Sequence, residues 1–283
     1  MTPVFFSQTW NDSIVAATGA TYRWGGLPKA CIHPLVTPAG HRLTGFEMSD
    51  HVWHRGIWFT IKFVNGSNFW EEQAPFGVQK SVSDPTCVVL DRDRVRVQHF
   101  TQWESEATGV AIDERRQITF APGVIDWSCE LRAKADLTLD RTPYTTWGGY
   151  GGLSYRASRE LHDVNFLLPN GDAVTSLAGQ PHDWTVMQAA VDGGRASGGT
   201  GQRVSIGMID HPTNPRSPVP WYNKSGNGFN YMNAAFLFHE PLVVKRGESL
   251  KFNYRICYRD GQWSATEFKQ LADEFRATKP TVS

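Results

Sequence analysis

The chain has 283 residues, 40% of them hydrophobic, which is enough apolar material for a large core. Its 28 basic and 28 acidic residues cancel, so no nucleic-acid or membrane-surface partner is expected. No apolar run approaches the roughly 18 residues of a membrane span. The opening MTPVFFSQTW lacks a basic region followed by an apolar one, so the expected location is the cytoplasm.

Taken in chain order, the dominant pattern is alternation with period two, the signature of strands with one buried face. Strands are expected at 57–64 and 85–90, and then where Val95, Val97 and His99 alternate with Arg94, Arg96 and Gln98. A strand at 110–119 runs into Thr119-Phe120-Ala121-Pro122-Gly123, a hairpin turn in which Pro presets φ and Gly tolerates φ above zero. Ile125, Trp127, Cys129 and Leu131 then alternate with Asp126, Ser128 and Glu130. Further strands are expected at 151–157, 185–191, 203–210, 234–238 and 249–258, the last entered through the turn Lys245-Arg246-Gly247-Glu248. Only the C-terminus reads as helix, over about 264–277. Ser264 and Glu267 form a capping box, and Phe268, Leu271 and Phe275 follow at helical spacing. The Gly-rich stretch 192–201 reads as a loop, and no repeat, charge block or linker divides the chain. The expectation is one all-β domain over 1–283, a large antiparallel β-sandwich with the helix packed on the outside of a sheet.

Four widely spaced cysteines without a CxxC pair exclude a thiolate metal site, and Cys129 and Cys257 read as reduced core residues. The 11 Trp and 8 Tyr suit apolar sugar faces, because an aromatic ring with a polar edge offers a flat stacking surface. The densest polar cluster is Asp50-His51-Val52-Trp53-His54-Arg55-Gly56, preceded by His33 and followed by Trp58. His51 and His54 share a face in a helical turn and point apart in an extended strand. They are candidate acid/base groups, and also candidate ligands of a divalent metal ion. Arg55 offers a fork of donors to a carboxylate, a phosphate or a developing enolate. A second cluster runs from Asp210 and His211 through Asn214 and Arg216 to Trp221, at the end of an apolar strand. A third, Trp147-Gly148-Gly149-Tyr150-Gly151-Gly152, leads to Arg156, which is expected to project into a cleft. It lacks GxGxxG spacing and a following helix, so no nucleotide or flavin is expected. Glu71, Glu72 and Glu130 are candidate acids that no spacing singles out.

The runs His33-Pro34-Leu35, Asp50-His51-Val52-Trp53-His54-Arg55-Gly56-Ile57-Trp58-Phe59 and Val64-Asn65-Gly66-Ser67-Asn68-Phe69-Trp70 resemble the bacterial "PmoA-like" family. Gly151-Gly152-Leu153, Asp210-His211-Pro212-Thr213-Asn214-Pro215-Arg216 and Gly247-Glu248-Ser249-Leu250 follow in the same order. The likeness covers roughly residues 30 to 260. The label's link to a membrane-embedded copper enzyme conflicts with the absence of spanning segments. What the resemblance implies is a role in bacterial sugar catabolism, with His33, His51, His54, Arg55, Asp210, His211, Asn214 and Arg216 as site candidates. The turn, Gly-Glu and long alternating strand near the end also resemble the galactose-mutarotase-like super-sandwich.

These readings converge on a small sugar or glycoside as substrate. The leading expectation is a lyase or hydrolase acting on a keto-sugar. His51 or His54 would remove the acidified C–H proton, Arg55 or a metal ion would stabilise the enolate, and His211 would protonate the leaving oxygen. His33, Trp58, Arg156, Asp210, Asn214, Arg216 and Trp221 would bind the substrate. The alternatives are a mutarotase-type epimerase, which needs a carboxylate opposite a histidine, and a non-catalytic sugar-binding module with Trp53, Trp58, Trp70 and Trp221 as stacking platforms.

Overall fold

In a computed structural model of the chain, residues 13–16, 19–142, 150–191 and 202–280 are described. The expected loop 192–201 and the residues Trp147, Gly148 and Gly149 lie outside them. Within the described residues the alternating segments pair into two large antiparallel sheets of ten and eight strands. The ten-stranded sheet is built outward from three long neighbours, Val95–Ser105, Gly109–Ala121 and Val124–Ala133. It continues through Ser249–Asp260, Gln202–Asp210, Trp184–Val191 and Leu161–Leu167. In the eight-stranded sheet the central strands are Cys31–Leu35, Ile57–Ile61, Gly151–Arg156, Tyr231–Ala234 and Pro220–Lys224.

Alternation explains why the sheets stack. Ile57, Phe59 and Ile61, with Leu153, Tyr155 and Met232, point inward against Val97, Trp103, Ile118, Trp127 and Phe252 of the other sheet. Phe59 bridges the layers, with its ring centroid 5.0 Å from Phe252. One charged network is sealed in this interior. Glu114 accepts from Arg116 Nε at 2.7 Å, Arg116 Nη2 at 2.9 Å, Trp103 Nε1 at 2.8 Å and Thr101 Oγ1 at 3.1 Å. Arg116 reaches across to the Tyr22 hydroxyl, the Ala30 carbonyl and Gln79 Oε1. Both members of the pair are buried.

The helix forms where expected, at Ala265–Arg276, with Ser264 as N-cap and both halves of the capping box made. It buries Phe268, Ala272 and Phe275 on the outer face of the ten-stranded sheet, against Trp184, Val186 and Ile209. Gly207 permits that approach, since a Cβ there would stand 2.3 Å from the Phe268 ring. The hairpin turn is also as expected, with Gly123 at φ 72°. All four cysteines are free, with Cys31, Cys129 and Cys257 buried and Cys87 exposed.

Two strand boundaries differ from the sequence reading. The segment 57–64 divides into Ile57–Ile61 and Phe63–Val64, which belong to different sheets. The expected strand 234–238 lies earlier, at Tyr231–Ala234. The apolar run after it folds into turns, Phe236 N donating to the Ala234 carbonyl and Phe238 N to the Ala235 carbonyl. A buried turn made of apolar residues mimics a buried strand in sequence. Among the described residues, no helix is long and apolar enough to cross a membrane.

Candidate functional site

The pleat of the eight-stranded sheet leaves a second set of side chains on its outer face. Its register sets Cys31, Trp58, Ser154, Asn233 and Tyr222 in one cross-strand row, and Arg156, Tyr231 and Lys224 in the next. Trp58, Trp70, Tyr150, Tyr222 and Tyr231 pack here as an aromatic cluster separate from the main core. The short strand His51–Arg55, paired with Phe46–Met48, is laid over this face. Gly56 turns the chain from it into Ile57–Ile61 at φ 73°, where a Cβ would stand 2.4 Å from the Ile32 carbonyl.

His51 and His54 lie in extended backbone, yet their rings stack with centroids 4.6 Å apart. The ribbon is irregular: its register shifts between Phe46 and Met48, and Glu47 has φ 48°. Such a bulged two-stranded ribbon twists strongly enough to break simple alternation. His54 is buried between His51, Trp58 and Tyr231, and its Nδ1 has no hydrogen-bond partner among the described residues. Burial, reinforced by the charges of His51 and Arg156, holds its pKa well below the ordinary value, so the ring is neutral.

His51 is half-exposed and lines two adjoining cavities. The first, a cleft of ≈ 370 Å³, is shared with Trp53, Lys62, Trp70, Glu71 and Tyr150. Glu71 is held in it by an ion pair with Lys62 and by Asn68 Nδ2, which donates to Oε2 at 2.8 Å. The second, of ≈ 240 Å³, shares His51 and Tyr150 and adds Asp50, Tyr222, Lys224 and Phe229. Asp50 joins the groups together. It accepts from His51 Nδ1 at 3.2 Å, from Arg156 Nη2 at 2.6 Å and from Arg159 Nη2 at 3.2 Å. Burial pushes its pKa up, but the Arg156 hydrogen bond and charge outweigh this and hold the carboxyl well below the usual range. Asp50 is therefore an acceptor only, so His51 Nδ1 is the donor of their hydrogen bond.

Of the residues expected from sequence, His51, His54, Trp58 and Arg156 meet here, with Trp58 as buried floor. Arg55 lies beside the site, but its fork is taken by Glu72 and Glu47, and Glu72 also accepts from Lys29 Nζ. It is not available to an enolate. His33 stands behind Phe46, with ring centroids 4.9 Å apart, and shares a hydrogen bond with Thr44 Oγ1. Burial, with the charges of Arg23 and Arg42, lowers its pKa to about 4. Trp58, Trp70 and Trp221 are at most 1% exposed, which removes them as open stacking platforms; Trp53 remains. Trp221 points into the core and donates to the His182 carbonyl.

The cluster at 210–216 is elsewhere, beside the C-terminal helix at the end of Gln202–Asp210. His211 is spanned by Thr213 and the Thr278 carbonyl and packs on Phe275. Asn214 clamps the backbone N–H and carbonyl of Asn253. Arg216 binds the carbonyls of Phe236, Glu240 and Pro241. Asp210 accepts from Asn214 Nδ2 and Val219 N. These side chains hold loops, and the expected general acid His211 lies on the other sheet from His51. Burial raises the Asp210 pKa to about 6, opposed by the hydrogen bonds it accepts from Asn214 and Val219. An acid with a raised folded pKa stabilises most below its unfolded value of about 3.9 and loses that contribution as pH rises through about 6. The stability difference between wild type and Asp210→Asn is expected to shift by about 2 kcal/mol between pH 4 and pH 7. Urea unfolding across that range checks this, and a pH-independent difference would refute it.

Sequence reasoning missed Lys62, Asn68, Tyr150, Tyr222, Lys224 and Phe229 and did not single out Glu71. Glu130 lies on the other sheet. Among the described residues, no group of three or more His, Cys, Asp or Glu is placed to hold a metal ion.

The fold and site thus define an antiparallel two-sheet protein carrying a polar, aromatic-floored cleft on one outer face. The chain belongs to the family of unknown function DUF6807, whose model matches residues 17–273. That match does not confirm the PmoA-like resemblance. No curated protein matches the chain. Among solved structures it is similar to galactose 1-epimerase from Lactobacillus acidophilus, at 8% identity and TM-score 0.40, covering 91% of this chain and 98% of that one. It is also similar to a galactose mutarotase related enzyme from Lactobacillus acidophilus, at 6% identity and TM-score 0.41, covering 92% and 99%. A third likeness is to an α-galactosidase from Geobacillus stearothermophilus, at 13% identity and TM-score 0.37 over 80% of this chain. The match spans only 29% of that enzyme's length.

Proposed function

We propose that the protein is a carbohydrate-converting enzyme that moves protons between His51 and Glu71 across a sugar held in the cleft. The observation that carries this reading is that both side chains line the same ≈ 370 Å³ cleft. A histidine opposite a carboxylate is the acid/base pair that mutarotase-type chemistry needs. Asp50 orients the His51 ring, and Lys62 with Asn68 orients the Glu71 carboxylate. One group takes the proton of the anomeric hydroxyl while the other protonates the ring oxygen. The C1–O5 bond opens, the carbonyl rotates, and reclosure on its other face gives the second anomer.

A bond-cleaving lyase or hydrolase acting on a keto-glycoside is the second reading. It is favoured by the Nε and Nη1 groups of Arg156, which have no acceptor among the described residues. There the base removes the C–H next to the keto group, an arginine N–H takes the enolate charge, and the glycosidic oxygen leaves with a proton. Incubating the protein with anomerically pure aldoses and with keto-glycosides, followed by NMR and mass spectrometry, separates the two. Anomer exchange above the spontaneous rate at unchanged mass marks the epimerase. Loss of an alcohol, or addition of water with release of a sugar, marks cleavage. Inertness toward both panels would sink the sugar reading.

A further inference from the structure

Arg156 and Lys224 stand two strands apart in one row of the outer face, with Tyr231 between them. Adjacent strands lie about 4.8 Å apart, so the two Cα atoms are about 10 Å from one another, a gap that two long cationic side chains can close from either side. The Arg156 side chain is fully buried, yet only its Nη2 is engaged, by Asp50 and the Gly228 carbonyl. Its Nε and Nη1 meet no acceptor among the described residues, and the indole N–H groups of Trp53 and Trp58 are likewise unmatched. Asp50 is the carboxylate of this hollow, and its charge is met by Arg156 and Arg159. Lys224 lines the same hollow, is exposed, and makes no ion pair among the described residues. Buried donors without acceptors, beside an uncompensated ammonium, call for a ligand rich in negatively charged oxygen.

We propose that the sugar carries a terminal anionic oxygen group seated in the ≈ 240 Å³ hollow between Lys224 and the guanidinium edge of Arg156. The substrate class is then a sugar acid or a sugar phosphate. The inference rests on the sugar-converting reading above and adds the charge of the substrate to it. Phe229 covers Arg156, its ring centroid 4.2 Å from the guanidinium carbon. It follows Gly226, Asn227 and Gly228, all at positive φ, and because Arg156 lies behind the lining of the hollow this turn must move aside for the ligand to reach Nε and Nη1. An oxygen anion bound there lies next to His51, which lines both cavities, so the remainder of the sugar extends into the cleft holding Glu71.

Calorimetric titration of the full chain with matched gluco and galacto aldoses, uronates and hexose 6-phosphates tests the proposal. Either anionic series should bind on the order of tenfold more tightly than the neutral one, the value of one charge-assisted contact. The stronger of the two identifies carboxylate or phosphate. Lys224→Ala, a change at an exposed side chain, should erase that advantage while leaving the melting temperature unchanged. The advantage should also shrink with added salt. Equal binding of neutral and anionic sugars in both proteins would overturn the charge assignment and leave the sugar reading standing. No binding by any of the three series would overturn both.

Discussion

Replacing Glu114 by alanine is expected to destabilise the protein by about 3–5 kcal/mol, the usual result of stranding a buried charge. Among the described residues the carboxylate is the only acid that Arg116 meets, and its other acceptors are a hydroxyl, a carbonyl and an amide oxygen. Removing it also leaves the Trp103 and Thr101 donors without their acceptor. In a chain of this size the loss corresponds to a fall in melting temperature on the order of 10 °C. The instructive comparison is the double variant Glu114→Leu/Arg116→Met. Removing both charges together abolishes the desolvation cost, so the double variant should be more stable than Glu114→Ala. Calorimetry on the two proteins decides the matter. If the double variant is the less stable one, the stranded Arg116 charge is not the source of the loss and this account is wrong.

The second large effect concerns turnover. With a sugar substrate in hand, His51→Ala and Glu71→Gln are each expected to lower kcat by about 10²–10⁴-fold, the range assigned to a positioned acid or base. Because the two groups act in one proton transfer, the double variant should be little worse than either single one. His33→Ala is the control. Its ring faces Phe46 and Thr44 rather than the cleft, so turnover should stay within a few-fold of wild type. Multiplicative losses in the double variant would place His51 and Glu71 in separate steps.

How much of this was legible in the sequence depended on the range of the interaction concerned. The capping box at Ser264 and Glu267 and the turn at Pro122-Gly123 act within a few residues, and both form as read. The two-sheet architecture followed from alternation, which reports burial on one face whatever the partner strand. The site was only half visible. His51 and His54 announced themselves by density, but the residues completing the cleft arrive through register between strands far apart in the chain. Nothing near Arg156 in sequence tells that Tyr231 and Lys224 will share its row. Polar density also misled. The group at 210–216 carries the residue types of a site because an irregular loop needs many donors and acceptors to satisfy its own backbone. Arg216, with its three carbonyl partners, is the clearest instance.

The position of Ser249–Asp260 has a consequence for how the molecule is made. This strand is wedged between Val124–Ala133 and Gln202–Asp210, pairing Ile125 with Ile256 and Val204 with Asp260. The middle of the ten-stranded sheet therefore stays open until Ser249–Asp260 has been synthesised. Assembly cannot proceed as steady growth from the N-terminus, and closure demands a loop of more than a hundred residues before its contacts reward it. Until then two unpaired strand edges stand exposed in the growing chain, so it is vulnerable to misassociation until Ser249–Asp260 is in place.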